Sequence, residues 1–476
     1  MKRATAQNVS RRDMLRATAG IAAVGLMPKW GATASAEEAL FHALDERIEA
    51  AMARYHVPGV SVAVFYRGRE YVRGYGQTNV EHPITVDGDT LFRIGSVTKT
   101  FTGTAIMRLV ERGKVELDAP VRSYLPNLQL ADDAVARRVT VRQLLNHSAG
   151  WLGDDYAGYG SGDDALAKYV AGMQALPQLV PLGAVLAYNN AAVDLAGRVI
   201  EVVTDTPYER AVETLVLEPL GLKRSGFFTE RLTKYPIAAS HDVKNGKAVL
   251  DAASWDFPRS LNPTGGLISS ARDQLRYARF HLGYPAMQRN PGPGGTLSME
   301  VDGVCVTWWQ RRTAEGVPVF QHMGSWGGQN ADLLLVPSRG FAMSILTNST
   351  NGPMVIAEID RSGWALTQFA GLHNPPAVRK ALPARALAAY AGRYLAQIVP
   401  PADSPQNPEQ VTVELRADGG YLRASGDLEL SLAFYRQDYV ITTNAEGLSK
   451  RSDFVRAADG RVAWFRDNGR IFKRVT

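Results

Sequence analysis

The stretch FRIGSVTKTFTG, residues 92–103, places Ser96 and Lys99 three positions apart at the start of a run with helical apolar spacing. Residues three apart on a helix share a face, so the lysine amine can reach the serine hydroxyl. A serine hydroxyl is a weak nucleophile until a base takes its proton, and a lysine can be that base where burial lowers its pKa. The pair therefore indicates nucleophilic catalysis. A helix-capping serine beside a solvated lysine is the alternative, and roughly one Ser-x-x-Lys match is expected by chance.

Tyr188 and Asn190 form a second candidate pair, in the sequence YNN that opens the apolar-periodic run AAVDLAGRVIEVV. A tyrosine and an asparagine two apart at the start of a helix can point into one cleft. The phenol can relay a proton, and the amide can orient the lysine and a substrate carbonyl. A packing tyrosine and a capping asparagine are the alternative for an isolated match.

The third candidate segment is HMGS, residues 322–325, at the end of the strand-like run VPVFQ. Gly324 lets the backbone approach a ligand closely. The amide of Ser325 can then pair with that of Ser96 to form an oxyanion hole. Taken alone, His322 is better explained as a satisfied histidine of the core or of a strand edge.

Helices predicted from apolar spacing must position these residues. One amphipathic helix is predicted over 37–57, and another begins in the FRIGSVTKTFTG stretch and ends at Gly113. A further helix is predicted over 265–282, with Ser269 or Ser270 as its cap.

Strand-like runs supply the rest of the framework. Two β-rich runs around Arg67-Gly68 predict a hairpin, and consecutive runs within 301–348 predict an antiparallel meander. The Pro-containing segment 373–387 is a candidate linker, and 388–476 is predicted to form a small all-β domain. Its alternating strands are joined by dipeptides that favour tight hairpin turns, namely Asp418-Gly419, Asp459-Gly460 and Asn468-Gly469.

The first 36 residues have the pattern of a twin-arginine signal peptide. SRRDML supplies the paired arginines, ATAGIAAVGLM is a short apolar region, and ASA at 34–36 is a cleavage site. These features predict export by the Tat route to the periplasm or outside the cell, with no membrane attachment after cleavage. Of the net charge of +6, residues 1–36 hold +5, which leaves +1 for the remainder. A nearly neutral body gives no electrostatic reason to expect a nucleic-acid partner.

Other hydrolytic and nucleotide chemistries are poorly supported. The sequence contains no G-x-S-x-G, no H-E-x-x-H and no G-x-x-x-x-G-K-[ST]. The single cysteine, Cys305, lies in the apolar run VCVTWW and is expected to be a buried small hydrophobe.

The order and context of the three motifs resemble those of the class C β-lactamase-like serine hydrolases, a group of class C β-lactamases, DD-peptidases, D-aminopeptidases and esterases. The resemblance covers about residues 40–370 and includes the blocks VPGVSVAVFYRGREYVRGYGQTN, TVRQLLNHSAGW, EPLGL, GGLISSARD and HMGSWGGQNADLLLVP. It implies an α/β (α+β) fold, with a central antiparallel sheet flanked by helices over 37–372. The segment 388–476 resembles, more loosely, the barrel-like domains appended to some members.

The resemblance also implies site roles. Ser96 would be the acylated nucleophile, Lys99 and Tyr188 its base partners, and Asn190, His322, Gly324 and Ser325 the substrate and oxyanion residues, with no metal or cofactor. The third motif is K-T-G in true class C β-lactamases and His-Met-Gly here, which argues against efficient β-lactam hydrolysis because a histidine is mostly neutral near pH 7. A peptidase, amidase or esterase acting on a small-molecule or peptide substrate is therefore expected. A β-lactamase proper and a non-turnover penicillin- or cell-wall-peptide-binding protein are the alternatives.

Overall fold

The computed structural model describes residues 30–251, 256–283, 301–400, 408–445 and 447–476. Most of the predicted signal peptide therefore lies outside the described residues. The chain divides into a unit of residues 1–43 and a unit of residues 44–476, and the sheets, the barrel and the site described below belong to the second.

Helices and strands are interspersed as far as residue 387, and strands alone follow from residue 392. The helices are α1 (Trp30–Tyr55), α2 (Thr98–Glu111), α3 (Asp133–Arg138), α4 (Val141–Leu145), α5 (Ala165–Gly172), α6 (Asn190–Thr204), α7 (Tyr208–Val212), α8 (Glu218–Leu220), α9 (Asn262–Gly265), α10 (Ala271–Gly283), α11 (Gly352–Ile356) and α12 (Ala384–Leu387). The strands before the C-terminal domain are β1 (Gly59–Tyr66), β2 (Arg69–Gly76), β3 (Leu91–Arg93), β4 (Ser225–Gly226), β5 (His241–Lys244), β6 (Lys247–Leu250), β7 (Ile268–Ser270), β8 (Val301–Cys305), β9 (Trp308–Arg312), β10 (Pro318–Trp326), β11 (Gln329–Val336) and β12 (Phe341–Thr347). No helix in the described ranges is long and apolar enough to cross a membrane.

A seven-stranded antiparallel sheet forms the frame, in the order β2-β1-β12-β11-β10-β9-β8. The predicted hairpin and meander are confirmed as β1–β2 and β8–β12. Strands β11 and β12 are buried along their whole length, because α10 packs on the sheet from one side and α11 lies against β11. The predicted antiparallel sheet flanked by helices is therefore confirmed.

Helix α2 carries the first motif, and its start differs from a simple capped helix. A single 3-10 turn, Gly95–Val97, precedes α2, and the cap position is Val97, which makes no side-chain cap hydrogen bond. Ser96 therefore does not cap the helix. Gly113 has φ +64°, as a residue just beyond a helix C-terminus often does, so the predicted end is confirmed.

Helix α2 is buried on nearly all sides, although its apolar residues predicted a single buried face. Its threonines are accommodated because their hydroxyls find partners: Thr100 donates to the Val97 carbonyl at 2.8 Å and Thr102 to the Pro263 carbonyl at 2.6 Å. A buried hydroxyl that is hydrogen-bonded avoids most of the cost of desolvation. The nucleophile segment is thus held from several directions.

Two helix predictions were wrong at their starts. Helix α1 begins at Trp30, seven residues before the predicted start at residue 37. The segment predicted as one helix over 265–282 instead begins with strand β7, because Ile268–Ser270 pairs with β3 and β4 before α10 starts. Ser270 is nevertheless the predicted cap, since its hydroxyl accepts from the Asp273 amide at 3.2 Å.

The C-terminal strands close into an eight-stranded antiparallel barrel, which confirms the predicted barrel-like domain. Its interior is filled by aromatic rings: Phe454 lies 4.8 Å from Tyr390 and 5.2 Å from Phe465, centroid to centroid. The preceding segment 373–387 is not a free linker, because Lys380 bonds to the Phe434 carbonyl and Leu387 joins the barrel core. The barrel strands are β13 (Gly392–Ile398), β14 (Glu409–Asp418), β15 (Tyr421–Gly426), β16 (Leu430–Arg436), β17 (Tyr439–Thr443), β18 (Ser449–Arg456), β19 (Val462–Asp467) and β20 (Arg470–Arg474).

Candidate active site

The structure brings Ser96 and Lys99 into direct contact. The Nζ atom of Lys99 lies 2.9 Å from Ser96 Oγ and donates to the Thr264 carbonyl at 2.8 Å, and the lysine side chain is fully buried. The Thr264 carbonyl from α9 therefore fixes the amine, leaving its lone pair available to the serine hydroxyl. Sequence reasoning missed Thr264, because a backbone carbonyl leaves no signal in residue type.

Burial lowers the pKa of Lys99 to about 7. The carboxylates of Asp194 and Asp154 oppose this change, and the positive charge of Arg470 reinforces it. A lysine with an ordinary pKa would be almost fully protonated at neutral pH. Here a substantial fraction is neutral and able to accept the Ser96 proton.

The ring of Tyr188 lies beside two cationic groups. Lys99 Nζ is 5.0 Å from its centroid, and the guanidinium carbon of Arg470 is 5.2 Å away. Burial raises the pKa of Tyr188, while its hydrogen bond with Ser96 and the charge of Arg470 oppose the rise. The phenol stays protonated at neutral pH and can pass a proton on, as a member of a group coupled to Lys99.

Asn190 occupies the first turn of α6, but the capping residue is its neighbour. Asn189 accepts from the Ala192 amide at 2.8 Å. The Asn190 amide nitrogen donates to Asp154 Oδ1 at 2.8 Å and to the Tyr156 hydroxyl at 3.1 Å. The expectation that Asn190 orients the lysine is not what the structure shows, since Thr264 does so. Asn190 instead faces the cleft as part of a polar wall.

Strand β10 passes directly in front of the serine. A Cβ added at Gly324 would overlap the Ile94 carbonyl oxygen and lie 2.7 Å from the Ser96 amide nitrogen. Gly95, at φ +50°, makes an equally close approach to the backbone of Ser325. The backbone segments that carry the Ser96 and Ser325 amides thus meet, as an oxyanion hole built from these two amides would need, and the hole itself stays a prediction.

We expect Gly324→Ala to lower kcat by roughly 100-fold, the usual effect of disturbing one oxyanion donor. The added methyl group has no room between β10 and the 3-10 turn, so it must push the Ser325 and Ser96 amides apart. The measurement is steady-state hydrolysis of a p-nitrophenyl ester. Gly283→Ala, at the exposed end of α10 where an added Cβ meets no atom within 4 Å, is the control for a general effect of a Gly-to-Ala change on folding. Unchanged kcat in Gly324→Ala would contradict the assignment of the oxyanion hole.

His322 is buried at the back of the cleft. Its Nδ1 lies 2.7 Å from the Met323 carbonyl, and its Nε2 has no hydrogen-bond partner among the described residues. Burial and then the charge of Lys99 lower its pKa to about 3. The imidazole is therefore neutral, and it offers the cleft an acceptor nitrogen instead of a cation.

The barrel contributes residues to the site that sequence reasoning missed. Arg470, just after the Asn468-Gly469 turn, forms an ion pair with Asp154 and lies 3.3 Å from the Tyr156 hydroxyl. The dipeptide predicted a hairpin turn. Nothing in the sequence indicated which end of the barrel would meet the serine.

The whole site opens into a cleft of about 720 Å³. One wall is aromatic: the Trp326 ring lies 4.7 Å from that of Phe257 and 6.1 Å from that of Tyr156. All the candidate residues named from the sequence, apart from the fully buried Lys99, line this cleft: Ser96, Tyr188, Asn190, His322, Gly324 and Ser325.

Comparisons with known proteins identify a family for this chain. The beta-lactamase family profile matches residues 44–365. The chain is 32% identical over 351 residues to penicillin-binding protein 4 of Amycolatopsis lactamdurans, covering 69% of this chain and 90% of that protein. It is 30% identical over 376 residues to esterase EstB of Burkholderia gladioli, covering 66% and 93%.

Similarity also extends into the C-terminal barrel. The crystal structure of SurE superposes with a TM-score of 0.69 at 25% identity, and the match covers 92% of this chain and all of SurE. The family match spans well over half of the chain and includes every motif named above. This chain therefore belongs to the beta-lactamase family of serine hydrolases.

Proposed function

We propose that the protein cleaves an amide or ester bond through an acyl-enzyme on Ser96. The observation that carries this proposal is the contact between a buried Lys99 amine and the Ser96 hydroxyl at 2.9 Å. A buried amine with a pKa near neutrality is a suitable general base, because catalytic proton transfer works best when the pKa lies near the working pH.

The reaction follows from the placement of the groups. Neutral Lys99, coupled to Tyr188, takes the Ser96 proton as the oxygen attacks the substrate carbonyl. The amides of Ser96 and Ser325 stabilise the oxyanion, each such donor contributing roughly 3 kcal/mol to the transition state. Collapse of the intermediate expels the leaving group, which receives a proton through Tyr188. A water molecule then attacks the acyl carbonyl while the Lys99–Tyr188 pair takes its proton. The same pair returns that proton to the Ser96 oxygen as the acid product leaves.

A peptidase, amidase or esterase fits this cleft better than a β-lactamase. At the third motif the chain has His322, which is neutral, where true class C enzymes have a lysine. The aromatic wall of Tyr156, Phe257 and Trp326 offers an apolar surface to a substrate side chain. The similarity to a protein named an esterase supports the ester part of this range.

A substrate panel tests the proposal: a short-chain p-nitrophenyl ester, D-Ala-p-nitroanilide and the cephalosporin nitrocefin. We expect turnover of the ester or the anilide and little of nitrocefin. Rapid nitrocefin hydrolysis would establish the β-lactamase alternative. A single burst of product without steady turnover would instead favour a binding protein that is acylated but deacylates slowly.

The pH dependence of the reaction provides a further prediction. Since Lys99 acts in its neutral form and burial lowers its pKa to about 7, kcat/KM should rise with pH through about 7 and level off above it. The measurement is kcat/KM for a neutral ester between pH 5 and pH 9, with subtraction of spontaneous hydrolysis. Activity that stays flat down to pH 5 would contradict the role of Lys99 as base.

Export is also a proposal, supported by the paired arginines Arg11 and Arg12 ahead of an apolar run. We expect the full-length protein expressed in a Tat-competent bacterium to reach the periplasm. Mass spectrometry should find cleavage after Ala36. A variant with both arginines changed to lysine should stay in the cytoplasm, and normal export of that variant would contradict the proposed route.

A further inference from the structure

The C-terminal barrel reaches the catalytic residues through one hairpin turn and its flanking strands. The backbone amide of Tyr188, the first residue of the YNN motif, donates to the Gly469 carbonyl of the barrel at 2.8 Å. Nearby, the buried Arg466 donates to the Leu186 carbonyl at 2.9 Å and pairs with Asp453 inside the barrel. The backbone on which Tyr188 sits is therefore hydrogen-bonded to the barrel.

Arg470 is the side chain that this turn delivers to the site. Its guanidinium bonds to both oxygens of Asp154 and contacts the Tyr156 hydroxyl, and these two residues hold Asn190. Its Cζ also lies 5.2 Å from the Tyr188 ring centroid. One barrel residue thus joins the polar wall of the cleft to the tyrosine beside the nucleophile.

We propose that Arg470 is a positioning residue for catalysis: it fixes the Asp154–Tyr156 wall and keeps positive charge next to Tyr188 and Lys99, so that the lysine amine can act as base. The barrel is then part of the catalytic machinery. This inference rests on the proposed Ser96 acyl-enzyme reaction.

The charges around Lys99 determine the direction of the effect. Asp194, on α6, and Asp154, on the loop before α5, both favour the protonated amine. The positive charge of Arg470 disfavours the protonated amine. The two facing imidazoles, His147 and His322, remain neutral because burial lowers the pKa of each. Arg470 is thus the cationic side chain acting on Lys99 from the barrel.

The test uses the full-length chain and p-nitrophenyl acetate, a substrate without a carboxylate. We expect Arg470→Gln to move the rise of the pH profile upward by about one pH unit, since removing a nearby like charge raises the pKa of Lys99. At pH 7 this change leaves roughly fivefold less neutral amine, so kcat/KM should fall about fivefold. Arg470→Lys should restore most of the wild-type profile. Asp154→Asn should move the profile in the opposite direction, to lower pH.

Arg416→Gln is the matched control, because Arg416 is an exposed barrel arginine paired with Glu414. Thermal unfolding followed by circular dichroism reports on folding of each variant. If Arg470→Gln does not fold, Asp154→Asn decides the question, because it leaves the charge of Arg470 unopposed: a profile moved to lower pH supports the proposal, and an unmoved profile overturns it. Loss of activity with an unmoved profile would overturn the proposal, since a purely structural contact has that effect.

Two other outcomes remain distinguishable. Suppose that Arg470→Gln raises KM only for substrates that carry a carboxylate and hydrolyses p-nitrophenyl acetate normally. Arg470 would then be a substrate anchor, and the proposal would be overturned. Failure of the underlying reaction is detected separately by fluorophosphonate labelling. If Ser96→Ala labels as well as wild type, the acyl-enzyme assignment is wrong whatever Arg470 does.

Discussion

Replacing Ser96 with alanine is expected to abolish hydrolysis of every substrate that the protein turns over. The hydroxyl is the atom that would form the covalent intermediate, and the structure places it 2.9 Å from the Lys99 amine. Loss of the nucleophile in comparable serine hydrolases costs about 10⁶ in kcat. The variant should also lose labelling by a fluorophosphonate probe, which reports on the nucleophile independently of the substrate.

Substitution of a distant serine controls for this prediction. Ser161 lies exposed in the loop before α5, so Ser161→Ala should leave both turnover and labelling at wild-type levels. The melting temperature of Ser96→Ala should stay close to that of the wild type, because the alanine fits the space of the serine. Undiminished labelling of Ser96→Ala would show that another residue is the nucleophile.

The sequence predicted those parts of the site that depend on residue type and local spacing. Ser96 and Lys99 are brought together by one turn of helix, so their separation in sequence determines their contact. Gly324 was singled out because a glycine lets the backbone approach a ligand closely, and in the structure the close approach is the one that β10 makes to the 3-10 turn. The hairpin β1–β2 was predicted from the two β-rich runs on either side of Arg67-Gly68.

The parts that were missed depend on long-range packing. The carbonyl that holds Lys99 comes from Thr264, which is 165 residues away, and any residue could supply a carbonyl. The Arg470–Asp154 ion pair joins positions 316 apart, and no pattern links a barrel turn to a loop at that distance. The burial of α2 on nearly all sides likewise depends on partners such as Pro263, which its own sequence does not specify.

Replacing Lys99 with methionine is expected to slow acylation of Ser96 by about 10²- to 10⁴-fold, the contribution of a well-placed general base. Methionine has a similar length and is apolar, so it fills the same buried space without offering a proton acceptor. The measurement is single-turnover acylation by a p-nitrophenyl ester, which isolates the step in which Ser96 is deprotonated. Lys168→Met is the control, because Lys168 is an exposed lysine on α5 that pairs with Asp164. Normal acylation in Lys99→Met would exclude the lysine as base.

The same variant should be more stable than the wild type, and the reason is the lowered pKa. Burial lowers the pKa of Lys99 from 10.5 in the unfolded chain to about 7 in the folded protein. Between pH 10.5 and pH 7 the lysine must therefore lose its proton when the chain folds, so the wild type becomes less stable as the pH falls through this range. At pH 7 nearly all of this penalty is present, and Lys99→Met removes it at the cost of two hydrogen bonds. We expect the free energy of unfolding to rise by about 1–2 kcal/mol and the dependence on pH between 10 and 7 to weaken. Urea unfolding at pH 7 and pH 10 measures both effects. A variant less stable than the wild type at pH 7 would contradict the lowered pKa of Lys99, and with it the reason why the amine is neutral near pH 7.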